Sequence, residues 1–187
     1  ILENPCYTFL SLGSYTVTQT VTDGVCSDSF SQNITVFAPP TVVINGIDIN
    51  CNGLCNGAAS VNASGGAFPY TYLWSNSSVT MNQSNLCAGT YLVTVTDANG
   101  CAGTNSIQIA EPSAITTSTT SVDAACYGNC DGIGTVSVAG GTSPYTYLWD
   151  DPLFQTNASA VDLCSGVYLV RITDSNGCSS VFDSVLI

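Results

Sequence analysis

The sequence contains no histidine, no lysine and a single arginine, Arg171, against 13 acidic residues, which leaves a formal net charge of −12. Nucleic acid and anionic membrane surfaces are held through Lys and Arg, so neither is expected as a partner. Catalysis by proton transfer or by an activated nucleophile needs titratable groups gathered in one place, and most of the usual ones are missing. The chain is therefore expected not to be an enzyme and to use no cofactor. Neither a signal peptide nor an apolar run of about 18 residues is present, so no membrane insertion is expected within this segment. Helical periodicity is absent throughout. Charged residues make up only 7% and hydrophobic ones 45%, so Ser, Thr, Asn and Gly must supply the wetted surface.

Cysteine, by contrast, is abundant: 10 in 187 residues. An even number at repeated spacings points to disulfides formed in an oxidising compartment, and hence to an extracellular location. Ile1 opens without an initiator Met, and Ser184-Val185-Leu186-Ile187 stops inside an apolar alternation. Both ends are therefore expected to be interior cuts of a longer protein.

Two copies of one pattern cover most of the chain. Cys51-Asn52-Gly53-Leu54-Cys55-Asn56-Gly57 returns as Cys126-Tyr127-Gly128-Asn129-Cys130-Asp131-Gly132, 75 positions later. Gly65-Gly66-Ala67-Phe68-Pro69-Tyr70-Thr71-Tyr72-Leu73-Trp74 returns at Gly140–Trp149 with the same shift, and Leu86-Cys87-Ala88-Gly89-Thr90-Tyr91-Leu92-Val93 returns at Leu163–Val170, shifted by 77. The two extra residues fall in a loop rich in Ser, Asn and Thr, where insertion is tolerated. Within each copy the apolar period is two, as in Tyr70, Tyr72, Trp74 and in Tyr91, Val93, Val95, which predicts strands with one buried face. Short strands separated by Asn-Gly, Gly-Gly and Asp-Ala-Asn-Gly turns fit an immunoglobulin-like β-sandwich of about 70 to 80 residues per copy. The expected fold is all-β, with tandem immunoglobulin-like sandwiches in a rod-like array. Pro39-Pro40 and Pro112 mark the junctions, giving repeats at 39–112 and 113–187. Residues 1–38 match only the last half of such a unit, and their Gly13-Ser14-Tyr15-Thr16-Val17 start and Asp23-Gly24 turn resemble the closing strands of a PKD-type immunoglobulin-like domain.

If the four Cys of each full copy pair within it, three connectivities exist. Thr90 to Asp97 reads as one strand, and roughly eight residues at 3.3 Å each hold Cys87 and Cys101 about 26 Å apart. Bonded Cys have Cα atoms within about 7 Å. This excludes Cys87 with Cys101 and, by completion, Cys51 with Cys55. Cys51 with Cys101 plus Cys55 with Cys87 remains, as does the crossed set. In a simple immunoglobulin-like order the loop holding Cys51 and the turn holding Cys101 lie at opposite ends, a difficulty for that pair. The second copy offers Cys126, Cys130, Cys164 and Cys178 at matching positions, and Cys6 with Cys26 would complete the set. A four-Cys zinc site is not expected, because the spacings x3, x31 and x13 lack two short chelating pairs. Asp97 with Asn99, and Asp174 with Asn176, are weak calcium candidates whose plainer role is to form Asp-x-Asn-Gly turns. Trp74 and Trp149 could stack on surface glycans, but their alternation inside strands fits a core. The sequons at Asn33, Asn62 and Asn157 matter only in a glycosylating host.

The string Cys-Asn-Gly, then Gly-Gly-x-x-Pro-Tyr-x-Tyr-x-Trp, then Leu-x-Ala-Gly-x-Tyr-x-Val-x-Val-x-Asp-x-Asn-Gly-Cys resembles the SprB repeat family of Bacteroidetes surface proteins, over residues 42–112 and 113–187. Its namesake is a filamentous adhesin of gliding bacteria, exported by type IX secretion. The resemblance implies a retained pair equivalent to Cys51 and Cys101, which favours joining those two, and Cys126 with Cys178; Cys55 with Cys87 and Cys130 with Cys164 are then added staples. It further implies that Asp183-Ser184-Val185 is an O-glycosylation motif of that phylum, with Ser184 as acceptor. The implied function is a structural and adhesive segment of a cell-surface filament, its partners being neighbouring repeats, further copies through self-association into fibres, and surface glycans. A carbohydrate-binding module of a secreted enzyme and a passive surface-layer component are the alternatives.

Overall fold

Val, Thr, Tyr and Ile at every second position favour extended backbone with one apolar face, and the paired glycines break it into short runs. The computed structural model describes residues 7–126, 128–179 and 182–187, and all of its named elements are strands. A hairpin of β1 (Gly13–Thr22) and β2 (Ser27–Val36) comes first. Six strands follow in the first repeat: β3 (Thr41–Ile47), β4 (Gly57–Ser64), β5 (Thr71–Trp74), β6 (Asn82–Leu86), β7 (Gly89–Thr96) and β8 (Ala102–Ile109). The second repeat supplies six more: β9 (Thr116–Val122), β10 (Gly132–Ala139), β11 (Thr146–Trp149), β12 (Ser159–Leu163), β13 (Val167–Thr173) and β14 (Asp183–Leu186).

In each set of six, the first, second and fourth strands form one sheet and the third, fifth and sixth the other: β3-β4-β6 with β5-β7-β8, and β9-β10-β12 with β11-β13-β14. This is the immunoglobulin division of strands with the fourth strand of the usual seven left out. The repeated pattern is thus a repeated immunoglobulin-like topology, as the period-two reading expects.

The chain divides into two compact units, one of residues up to 45, 60–81 and 91–107, the other of residues 46–59, 82–90 and 108–187. In the first unit Val42, Val61, Trp74, Val93 and Val95 are buried. Its β1–β2 hairpin pairs from Gly13↔Val36 to Thr22↔Ser27, and Val17, Val21, Phe30 and Ile34 on it are exposed. In the second unit Val136, Ala160 and Leu163 of one sheet pack with Trp149, Val170, Ile172 and Val185 of the other. The Trp149 indole lies on Gly134, where an added Cβ would stand 3.2 Å from the ring, and its Nε1–H donates to the Asn157 carbonyl at 2.9 Å. Both the apolar body and the polar edge of this ring are satisfied inside the core.

Removing so large a buried ring leaves a cavity. Trp149→Ala is expected to cost about 3–5 kcal/mol, read as a lowered urea midpoint, with Trp149→Phe intermediate.

Candidate functional site

The most structured feature of each repeat is the turn between its last two strands. In the second, Asp174 is 5% exposed, and its carboxylate is shared among backbone N–H groups. Oδ1 accepts from Asn176 at 2.9 Å and Cys178 at 2.8 Å, and Oδ2 accepts from Thr142 at 2.9 Å. The first repeat repeats this within a tenth of an ångström: Asp97 Oδ1 accepts from Asn99 at 2.9 Å and Cys101 at 2.8 Å, and Oδ2 from Ala67 at 3.0 Å. The Ala67 N–H, followed by those of Cys101, Asn99 and Gly100, holds the Asp97 carboxyl below the ordinary 3.8 despite burial. At Asp174 burial pulls upward most strongly, and the N–H groups of Thr142, Cys178, Asn176 and Gly177 together outweigh it. At each turn these donors engage both lone pairs of Oδ1 and one of Oδ2, and among the described residues no three acidic, His or Cys side chains gather as a metal site. Asp-x-Asn-Gly here is a turn that aims a cysteine.

That cysteine does not bond within its own repeat. Cys178 joins Cys51, 127 positions away, with Cα atoms 5.6 Å apart, while Cys101 and Cys126 are free thiols. The expected pairs Cys51 with Cys101 and Cys126 with Cys178 are therefore corrected, and strand order supplies the reason. In the second repeat Cys126 lies in the loop before β10, whereas the Asp174 turn is bonded to Thr142, beyond the end of β10. The 8 residues of β10 at roughly 3.3 Å each place these two ends about 26 Å apart. The loop of one repeat and the turn of the next do meet.

Around this staple the junction is tied by hydrogen bonds within the second unit. Asn176 Nδ2 donates to the Asn50 carbonyl at 3.0 Å. The Cys51 loop grips the link between repeats: Gly53 N–H donates to Glu111 Oε2 at 2.7 Å and Asn52 Nδ2 to the Pro112 carbonyl at 3.0 Å. Gly141 N–H then takes the Ser113 carbonyl at 2.8 Å. A cleft of about 500 Å³ lies beside the staple, with Leu54, Pro112, Ala114, Ile115 and Asp174 in its walls.

The other predicted site residues fall as follows. Cys55 is joined to Cys87 and Cys130 to Cys164, each closing the loop before a repeat's second strand onto the end of its fourth. Cys26 is an exposed free thiol, and its expected partner Cys6 lies outside the described residues. Trp74 is 2% and Trp149 0% exposed, so neither offers a stacking face for sugars. Ser184 is exposed on β14. Two residues carry more structure than their sequence context signals. Asp151, 1% exposed, organises the lengthened loop by accepting from the N–H groups of Leu153 at 3.1 Å and Gln155 at 2.9 Å. The Gln155 amide then pairs with both backbone groups of Val161, at 2.8 and 3.0 Å, as a strand would.

Two disulfide-stapled, all-β repeats joined covalently to one another define a module of the extracellular kind. The profile of the SprB repeat matches residues 47–79 and 118–154, one segment in each of the two repeats. Curated protein sequences give no match. Among solved structures the chain is similar to an amphioxus IgVJ-C2 molecule, at 14% identity and a TM-score of 0.33, over 80% of this chain and 96% of that one. It is also similar to the C-terminal 282-residue fragment of intimin in complex with the intimin-binding domain of the translocated intimin receptor, at 12% and 0.35, over 92% of this chain and 57% of that one.

Non-reducing peptide mapping is expected to find Cys51 linked to Cys178 and to find Cys101 and Cys126 alkylated. Cys51→Ser should lower stability by up to about 5 kcal/mol, since the closed loop is long; chemical unfolding measures it. The pH dependence follows from the two aspartates. Their carboxyls are lowered in the folded state, so their stabilisation is complete above the ordinary value of 3.8 and is lost as pH falls through the folded value. Calorimetry should show a level Tm above pH of about 5 and a decline below about 4, shallower in the Asp97→Asn, Asp174→Asn double variant.

Proposed function

We propose that the chain is a structural and adhesive segment of a long secreted cell-surface filament or adhesin, serving surface attachment or gliding motility. The observation that carries this reading is the covalent joint between tandem SprB repeats, Cys51 to Cys178, because a joint between repeats is of use where repeats must transmit load. The family supports a Bacteroidetes host and type IX export. Stability in such an array adds from repeat to repeat, each resting mainly on its neighbours, in a rod-like arrangement. The segment is not an enzyme. It has no His or Lys, and its buried aspartates Asp97, Asp151 and Asp174 serve as backbone hydrogen-bond acceptors. Edge strands such as β9 and β12 carry few charges to oppose strand addition, which supports self-association into fibres. Ser184, exposed on β14, is the acceptor of an O-glycan. A sugar-stacking module is disfavoured by the burial of both Trp side chains.

Immunogold labelling of intact native cells with an antibody raised against residues 41–187 tests this. Gold along thin filaments leaving the surface is the expected result. Gold spread evenly over the envelope, or found only on released material, overturns it in favour of a surface-layer component or a module of a secreted enzyme.

A further inference from the structure

The Cys51–Cys178 staple has two halves, and each half occurs twice in the chain. One half is the loop before a repeat's second strand. In the bonded copy Leu54 N–H donates to the Cys51 carbonyl at 3.2 Å; in the other, Asn129 N–H donates to the Cys126 carbonyl at 3.0 Å. The other half is the aspartate turn. In the bonded copy Asp174 N–H donates to the Cys178 carbonyl at 2.9 Å and Gly177 N–H to the Asp174 carbonyl at 3.0 Å. In the unbonded copy the matching bonds, Asp97 to Cys101 and Gly100 to Asp97, are also 2.9 and 3.0 Å. The carboxylate bonds agree as closely. Cys101 therefore sits in a turn already shaped like that of Cys178, and Cys126 in a loop closed by the same turn bond as that of Cys51, yet both are thiols. Asn99 stands where Asn176 donates to the carbonyl preceding the partner cysteine.

We propose that Cys126 and Cys101 are the loop half and the turn half of the same staple, each completed by the complementary half of another copy of the repeat. Repeats are then linked in an overlapping series, the loop of each to the turn of the one after it. Forming the bond oxidises two thiols, so it needs an oxidant, which is a low-molecular-weight disulfide or the disulfide of an exported thiol oxidant. The Cys126 thiolate attacks the oxidant disulfide and releases one reduced thiol. The Cys101 thiolate then displaces the second, so that one disulfide is consumed, one protein disulfide and two small thiols are formed, and no electrons are left over.

The test uses the full chain carrying Cys6→Ser and Cys26→Ser, with a further Cys101→Ser in one preparation and Cys126→Ser in the other. Each alone offers only one half. Incubated together at high concentration with oxidised glutathione, they are expected to form a covalent heterodimer whose non-reduced digest contains a Cys126–Cys101 peptide. Each alone is expected to remain monomeric. Adding Asn99→Ala to the partner that keeps Cys101 should reduce the heterodimer yield severalfold. An intact Cys51–Cys178 peptide in every preparation shows that the variants are folded. The proposal is overturned if the mixture gives no more dimer than the separate preparations, or if either preparation alone dimerises to the same extent through like thiols.

Discussion

The carboxylate of Asp174, and its copy Asp97, is the interaction on which the rest of each repeat depends. A chain with one basic side chain has almost no cation to offer a buried carboxylate. The negative charge must be met by backbone dipoles instead, and converging N–H groups form such an anion site when the chain is bent tightly enough. That requirement shapes two segments at once. It curls the Asp-x-Asn-Gly turn so that Asn and Cys present their N–H groups, and it draws in the Gly-Gly loop that precedes the third strand. Gly66 and Gly141 adopt φ of +63° and +62°, and a Cβ at either would stand 2.6 or 3.0 Å from the Oδ2 it faces. Glycine is needed there for the left-handed backbone and for the space. The cysteine at the end of the turn is thus aimed by a charge rather than by packing.

Much of this was legible in the sequence. Alternation in Tyr70–Trp74 and Tyr91–Val95 marks the strands because only one face of each is buried, and Trp74 and Val93 lie on that face. The Asp-x-Asn-Gly turn was legible too, since its geometry is local. Pairing of the cysteines was not, because a disulfide reports a distance between loops and sequence periodicity carries no such distance. Treating each repeat as closed leaves two pairings open, and the family resemblance favours Cys51 with Cys101, although a simple immunoglobulin-like order places those loops at opposite ends. The conflict was itself the signal, since a loop and a turn that cannot meet in one repeat can meet across a junction. What brings them together is a set of single contacts, Gly53 with Glu111 and Asn176 with Asn50, that no pattern announces. Asp151 carries no such pattern either: its loop differs between the copies, so repetition offers no cue to its buried acceptor role.

Short and long staples act on different motions. Cys55–Cys87 and Cys130–Cys164 span 32 and 34 positions and tie the ends of neighbouring strands, which holds a repeat's first sheet in register. Cys51–Cys178 spans 127 and encloses the link between repeats, so it restrains the junction instead. The Gly53 and Asn52 bonds to Glu111 and Pro112 act on the same link without covalent cost.

Enclosing the link in this way changes how the chain responds to tension. A pull applied on either side of the staple passes from Cys51 to Cys178 through two sulfur atoms, and the 127-position stretch between them stays slack. Drawn out fully, that stretch would lengthen the molecule by about 430 Å. With the bond in place none of that length can be paid out, whatever becomes of the strands inside, and only the chain outside the bond is left to extend under load.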